Sequence, residues 1–486
     1  MLSPLSGFLA IGLYVLSLVG LSFYRSRKAT LSDYYIGSRN STWWLITLGM
    51  ISDSVSGVTY VSVPGSVANQ GYSYMQVVFG YFLGYLIITW VLLPLYYRRN
   101  LISIYAYLGE RFGLYAQKTA SVLFIASRTF GSAARLYISV MILHQFLLGP
   151  AGISPVISFV IAMTLIVLYT YKGGIKSLVW TEAYQSIVLL AAIFILAGFF
   201  WNDLQAPLET LLKPKLFFTD PKDAHFFLKQ IFGGMLITTS MNGLDQNIMQ
   251  LNLSCKRLWD AQKNMLTLAF MMVFVNFFFL GLGALAYQVY AEKGMALPTL
   301  SGGGIAYDQV LSHAVFSHFG AVAAVIFVVG LAASTFSSAG TILPAIASSI
   351  EIDLFPKRMQ NRIPVRVIHA LAAVLILVII LGIYRAEAHS LIDIVLRCSG
   401  YTYGPLIGLY GIGIFTRLKL NHRRIPFLAM LAIAISAYLD WNSARIFAGY
   451  QIGIELIAVN ALVFVILMLL FARTSQKAGP FIPTEQ

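Results

Sequence analysis

Along this chain, long apolar blocks alternate with short polar ones, and the blocks have the length of helices rather than strands. A bilayer offers no water to unpaired backbone groups, so a spanning segment must satisfy its own hydrogen bonds as a helix or join a closed barrel. Barrel strands alternate apolar and polar positions over about 10 residues, whereas a spanning helix needs about 20 apolar ones. The pattern predicts an all-α polytopic membrane protein with thirteen spans, at 3–23, 43–69, 73–97, 119–147, 152–171, 178–201, 226–250, 264–291, 311–349, 364–384, 389–416, 425–441 and 452–472. The ninth is too long for one straight helix, so its first part is expected to be a short separate helix, extracellular or interfacial. The first block is followed, not preceded, by Arg25, Arg27 and Lys28. That is the reverse of a cleavable signal peptide, and the block is expected to stay as a helix.

Composition agrees: 58% of residues are hydrophobic and 11% charged, too little charge to cover a soluble surface of this size. A formal charge of +14 would suit a nucleic-acid binder if the cations formed one patch. They do not. Of 33 Lys and Arg, 23 fall in one set of alternating loops, 7 in the other, and Arg128, Arg135 and Arg397 lie inside spans. Cytoplasmic loops carry the excess of Lys and Arg. The bias therefore places the N-terminus outside and the C-terminus in the cytoplasm, and no nucleic-acid partner is expected. Cys255 and Cys398 are too few and too far apart for a disulfide framework or a cysteine metal cluster.

Candidate chemistry lies where polar groups interrupt the spans, because such groups are costly in lipid. The second span carries Ser52, Asp53, Ser54, Ser56 and Thr59, with Gly57 and Pro64 weakening its helical ladder. That oxygen set suits a hard cation such as Na⁺ or a hydroxylated solute; the plainer alternative is hydroxyls bonding back to their own helix. The seventh span has a second interruption, Thr238–Gln246, five spans further on. Paired interruptions at matching positions point to an inverted-repeat transporter. The repeats would be 43–202 (spans 2–6) and 226–416 (spans 7–11). Residues 1–42 and 417–486 would be peripheral, the latter holding two spans and a short tail with no output domain. The ninth span presents Ser334, Ser337, Ser338 and Thr341 on one helical face, able to complete an ion cage or to serve as a small-residue seam. Arg128 and Arg135, seven residues apart, share a face of the fourth span. Each would fix an anionic substrate or pair with Asp53, Glu182 or Asp245.

Four stretches resemble the sodium/solute symporter family, whose members carry proline, galactose, sialic acid or iodide. They are the Ser52–Pro64 break, the Gly173–Gln185 run GGIKSLVWTEAYQ, Asp245–Gln250, and Gly404–Gly408 with its glycine-rich continuation. The second is the most specific, although Glu182 stands where the family usually has Asp. The resemblance implies a LeuT-like 5+5 inverted-repeat core and Na⁺ as the coupled ion. It implies an ion site with carbonyls of Ser52, Val55 and Ser334 and hydroxyls of Ser337 and Ser338. The string matches equally well with Ser334 and Thr335 as the hydroxyl pair; the acidic landmark Asp353 favours the former. A second Na⁺ would use Glu182 and Thr341. Ser54, Ser56 and Thr59 map to the solute site of relatives, and Asn242 and Gln246 of the seventh-span break are expected to line the path.

These readings together predict a monomeric, Na⁺-coupled symporter importing a small organic solute, such as a sugar, sialic acid or another carboxylate, by alternating access. An amino acid, a vitamin or an inorganic anion is the alternative, and a channel a remoter one, because the polar clusters do not form a continuous path. The seven histidines show no ligand spacing, and no nucleophile–base pair stands out, so an enzyme is not expected. Tyr60, Tyr72, Tyr74 and Tyr401 are candidates for stacking or gating, or for anchoring helices at the interface.

Overall fold

A computed structural model describes residues 4–27, 31–172, 174–221, 223, 225–299, 304–360, 362–386, 391–447, 449–450 and 452–472. Gly173 and the cations Lys28, Lys222, Arg473 and Lys477 lie outside these. Among the described residues there are helices and no strands.

In chain order the principal helices are α1 (Pro4–Ser26), α2 (Trp43–Ser54), α3 (Gly57–Gly65) and α4 (Tyr74–Arg98). They continue with α5 (Leu114–Leu148), α6 (Pro155–Thr170), α7 (Gly174–Asp203), α8 (Phe227–Thr238) and α9 (Gln246–Leu253). Then come α10 (Leu258–Lys293), α11 (Val310–His318), α12 (Gly320–Leu354) and α13 (Val365–Arg385). The last are α14 (Leu391–Phe415), α15 (His422–Trp441) and α16 (Leu456–Phe471).

Eight of these are long and apolar enough to cross a bilayer: α1, α4, α5, α7, α10, α12, α13 and α15. Length and hydropathy do not by themselves establish the expected thirteen. That number requires adding α6, α14, α16 and the two expected spans that the chain breaks in half. The ninth stretch does divide, with α11 separated from α12 at Gly320, where φ is +80°. The outward faces are apolar, as lipid contact requires. On α13, Val367, Leu371, Val374 and Val378 are exposed, while Ile368, Ala372, Ile376 and Ile380 pack inward.

The first break falls at Val55–Ser56, one residue before Gly57. Val55 leaves helical geometry (φ −90°, ψ 84°), and Ser56 is extended (φ −70°, ψ 165°). The Ser56 hydroxyl caps the restarted helix by accepting from the Thr59 amide at 3.4 Å. Pro64 does not make the break; it sits near the end of α3. Gly57 is required by close approach: a Cβ there would lie 2.0 Å from the Ser139 hydroxyl of α5. The second break has the same construction. A π-helical turn over Thr239–Gly243 leads to Leu244 and an extended Asp245 (φ −113°, ψ 122°). The Asp245 carboxylate caps α9 by accepting from the Asn247 amide at 3.0 Å. Helix α7 packs on α2 and α12, and α8 packs on α4, so both breaks are enclosed.

Candidate functional site

Beside the two breaks lies a cavity of about 200 Å³. Asp53, Ser54, Ser56 and Thr59 of the first break line it, with Asn242 and Asn247 of the second and Ser338 of α12. Arg128 and Arg135 reach it from α5. Polar groups thus converge on one space from five helices, α2, α3, α5, α9 and α12, and from the two breaks.

The two arginines differ in their partners. Arg128, 6% exposed, places Nε 2.5 Å from the Asp245 carboxylate and donates to the Met241 carbonyl at 2.6 Å. Asp245 is fully buried and also accepts from the Tyr403 hydroxyl of α14. Arg128 is therefore neutralised and ties α5 to the second break. Arg135 has no carboxylate partner among the described residues and faces the cavity. Asp53 likewise has no cationic partner there. It accepts from the Thr341 hydroxyl at 2.5 Å and from the Asn247 amide at 3.3 Å.

A second cluster lies on an adjoining face of α2. Successive helical residues point about 100° apart, so Ser52 faces away from Asp53. The Ser337 hydroxyl lies 2.8 Å from the Ser52 hydroxyl and also meets the Glu182 carboxylate of α7, its single proton serving one or the other. Ser52 in turn approaches Glu182 at 3.1 Å through its carbonyl and 3.3 Å through its carboxylate. The other Glu182 carboxylate oxygen is buried without a partner among the described residues. Because α2 stops at Ser54, the last carbonyls before the break lose their helical donors. A buried set of carbonyl, hydroxyl and carboxylate oxygens is donor chemistry for a hard cation.

The structure brings Ser52, Ser337 and Glu182 into contact, and sets Val55 at the break. Thr335 sits near it too, with its hydroxyl 2.9 Å from where a Cβ on Gly57 would lie. The Ser334, Thr335 and Ser338 hydroxyls bond back to carbonyls of their own helix. Thr341 meets Asp53 rather than Glu182. Gln246 does not line the cavity. Its amide is held by the loop at Ile102 and Ile104, at 3.0 and 2.9 Å. Of the tyrosines named from sequence, Tyr74 lines the cavity; Tyr60 and Tyr72 pack against phenylalanines, and Tyr401 donates to Asp440. Sequence reading missed Tyr81, Tyr85, Asn247 and Asn276, all of which line the cavity. Tyr74, Tyr81 and Tyr85 recur at i, i+7 and i+11, one helical face, and Asn276 is a lone polar group inside a phenylalanine-rich span. Both were available signals.

Broken helices meeting at a polar midspan cavity, beside a buried oxygen cluster, define an ion-coupled membrane carrier. The comparisons agree. The sodium:solute symporter family matches residues 34–423, and the chain belongs to that family. It is a multi-pass membrane transporter whose partners are Na⁺ and a small solute. It is 23% identical to the sodium/sialic acid symporter NanT of Aliivibrio fischeri over 421 residues, 82% of this chain and 80% of that one. With SiaT of Proteus mirabilis it shares 23% over 437 residues, 85% and 84% of the two chains. Its fold matches the substrate-bound, outward-open structure of a Na⁺-coupled sialic acid symporter with a TM-score of 0.79. That match covers 97% of this chain and 99% of the other at 18% identity. The fold is accordingly the LeuT-like one.

Proposed function

We propose that this symporter imports a solute bearing a carboxylate, and that Arg135 holds that group. The carrying observation is the asymmetry of the two arginines: Asp245 neutralises Arg128, whereas Arg135 faces the cavity without a carboxylate partner among the described residues. Leaving a cation so placed is costly unless an anion arrives, and an arginine fork suits a carboxylate. The similarity to sialic acid symporters, carriers of a carboxylated solute, supports the same class.

Na⁺ binds between α2 and α12, with carbonyls of Ser52, Val55 and Ser334 and hydroxyls of Ser337 and Ser338. The contact of Ser337 with Ser52 supports this pairing over one of Ser334 with Thr335. Glu182 lies against the same cluster and gives that ion a carboxylate, whereas Thr341, further along α12 and expected from sequence to share a second ion with it, bonds Asp53 instead. The breaks belong to repeats 43–202 and 226–416, which rock against each other to alternate access. The N-terminus lies outside, the C-terminus in the cytoplasm, and the monomer suffices.

Reconstitution into proteoliposomes with an inward Na⁺ gradient tests the reading, using sialic acid, monocarboxylates, amino acids and neutral sugars as solutes. Carboxylates should enter only with Na⁺, and Arg135→Gln should weaken their binding at least tenfold while Na⁺-induced thermal stabilisation persists. Preference for a neutral sugar, or undiminished carboxylate binding by Arg135→Gln, would remove it.

A further inference from the structure

The cavity has a second pole. Asp53 is 8% exposed and accepts only from neutral donors, Thr341 and Asn247, among the described residues. Beside it, the Asn247 side-chain carbonyl oxygen is buried without a partner among the described residues. Buried polar atoms are ordinarily satisfied, and those that are not mark where a ligand or water binds. This side of the cavity is therefore rich in acceptors, and Arg135 supplies donors to the same space.

Sodium does not account for Asp53. The Ser52–Ser337 cluster already has a carboxylate of its own in Glu182, about 100° around α2 from Asp53. Charge at midspan points the same way. Arg128 and Arg135 stand against Asp53, Glu182 and Asp245, leaving one formal negative charge, which a single Na⁺ offsets. A zwitterion entering with that ion leaves the site balanced, whereas a monoanion does not.

We infer that the solute is a zwitterion, its carboxylate on Arg135 and its ammonium group on the Asp53 carboxylate, with Asn247 accepting beside it. This rests on the carboxylate assignment to Arg135 and adds the second group. The test is a thermal-shift screen of the purified full chain in Na⁺, pairing each common amino acid with the same carboxylic acid lacking the amine. At least one amino acid should bind at least tenfold more tightly than its deaminated partner. Asp53→Asn should bring that ratio near one without changing the Na⁺ response measured alone. Deaminated acids binding as tightly as amino acids, or neither class binding, would overturn the inference. So would an Asp53→Asn variant that loses Na⁺ affinity and keeps the ratio. If deaminated acids bind and Arg135→Gln abolishes that binding, the carboxylate assignment stands and only the zwitterion fails.

Discussion

The Ser337 hydroxyl of α12 reaches the Ser52 hydroxyl of α2 at 2.8 Å, joining two helices 285 residues apart in sequence beside the one carboxylate of α7 that faces them, Glu182. Ser337→Ala removes one oxygen from the proposed Na⁺ cage and a donor to Glu182. A charge-assisted contact of this kind is worth about 1.5–3 kcal/mol, and each 1.4 kcal/mol is about tenfold in affinity. The Na⁺ concentration for half-maximal uptake should rise about tenfold or more, with uptake recovering at saturating Na⁺. Thr335→Ala should move it less than about threefold by the same conversion. The reverse ranking in Na⁺ activation curves would return the site to the Ser334–Thr335 pair.

Arg128 has a structural job where Arg135 has a binding one. Arg128→Gln leaves Asp245 buried and uncompensated, and breaking a buried pair costs about 3–5 kcal/mol. A marked fall in the thermal midpoint in detergent is expected, whatever solute is present. Replacing both partners, Arg128→Gln with Asp245→Asn, removes the stranded charge and should restore part of the lost midpoint. A double variant no more stable than the single one would show that the pair is not the source of the loss.

The two breaks were legible in sequence because each gathers groups that lipid penalises: Ser52 to Thr59, and Thr238 to Gln246. What sequence did not give was the partner of each group. Arg128 and Arg135 occupy one face of one helix, and only the fold shows Asp245 against the first and open cavity at the second. Gln246 read as a path-lining amide for the same reason: its position at a break was visible, but the Ile102–Ile104 loop that holds it is about 140 residues away. The count of spans was least secure, since broken and short helices fall below a length rule that α4 or α10 meets easily.

Close packing at the first break gives a steric prediction. A methyl group on Gly57 would stand 2.0 Å from the Ser139 hydroxyl and 2.9 Å from both the Ser139 Cβ and the Thr335 hydroxyl. Overpacking of this kind costs about 1–3 kcal/mol, and here it would push α3 off α5 beside the solute. Gly57→Ala should cut the uptake rate severely and lower the thermal midpoint. Ser139→Gly clears two of the three contacts, so the double variant should regain part of both. Normal uptake by Gly57→Ala alone would mean that α3 and α5 separate more easily than the packing implies.

Gln246 and Asn242 separate positioning from binding at the second break. Asn242 lines the cavity and donates to the Tyr85 hydroxyl at 3.0 Å, so it presents its amide where solute would lie. Gln246 donates to the Ile102 carbonyl and accepts from the Ile104 amide, pinning that loop to the start of α9. Gln246→Ala leaves the buried Ile104 amide without its partner, a cost of about 1–3 kcal/mol, and frees the more exposed Ile102 carbonyl. It should lower stability and maximal uptake rate while leaving the solute concentration for half-maximal uptake unchanged. Asn242→Ala should do the opposite, weakening solute affinity with little loss of thermal midpoint. Full saturation curves for both variants decide between them. A Gln246→Ala variant that alters affinity alone would put that amide back in the solute path, contrary to its bonds to the loop.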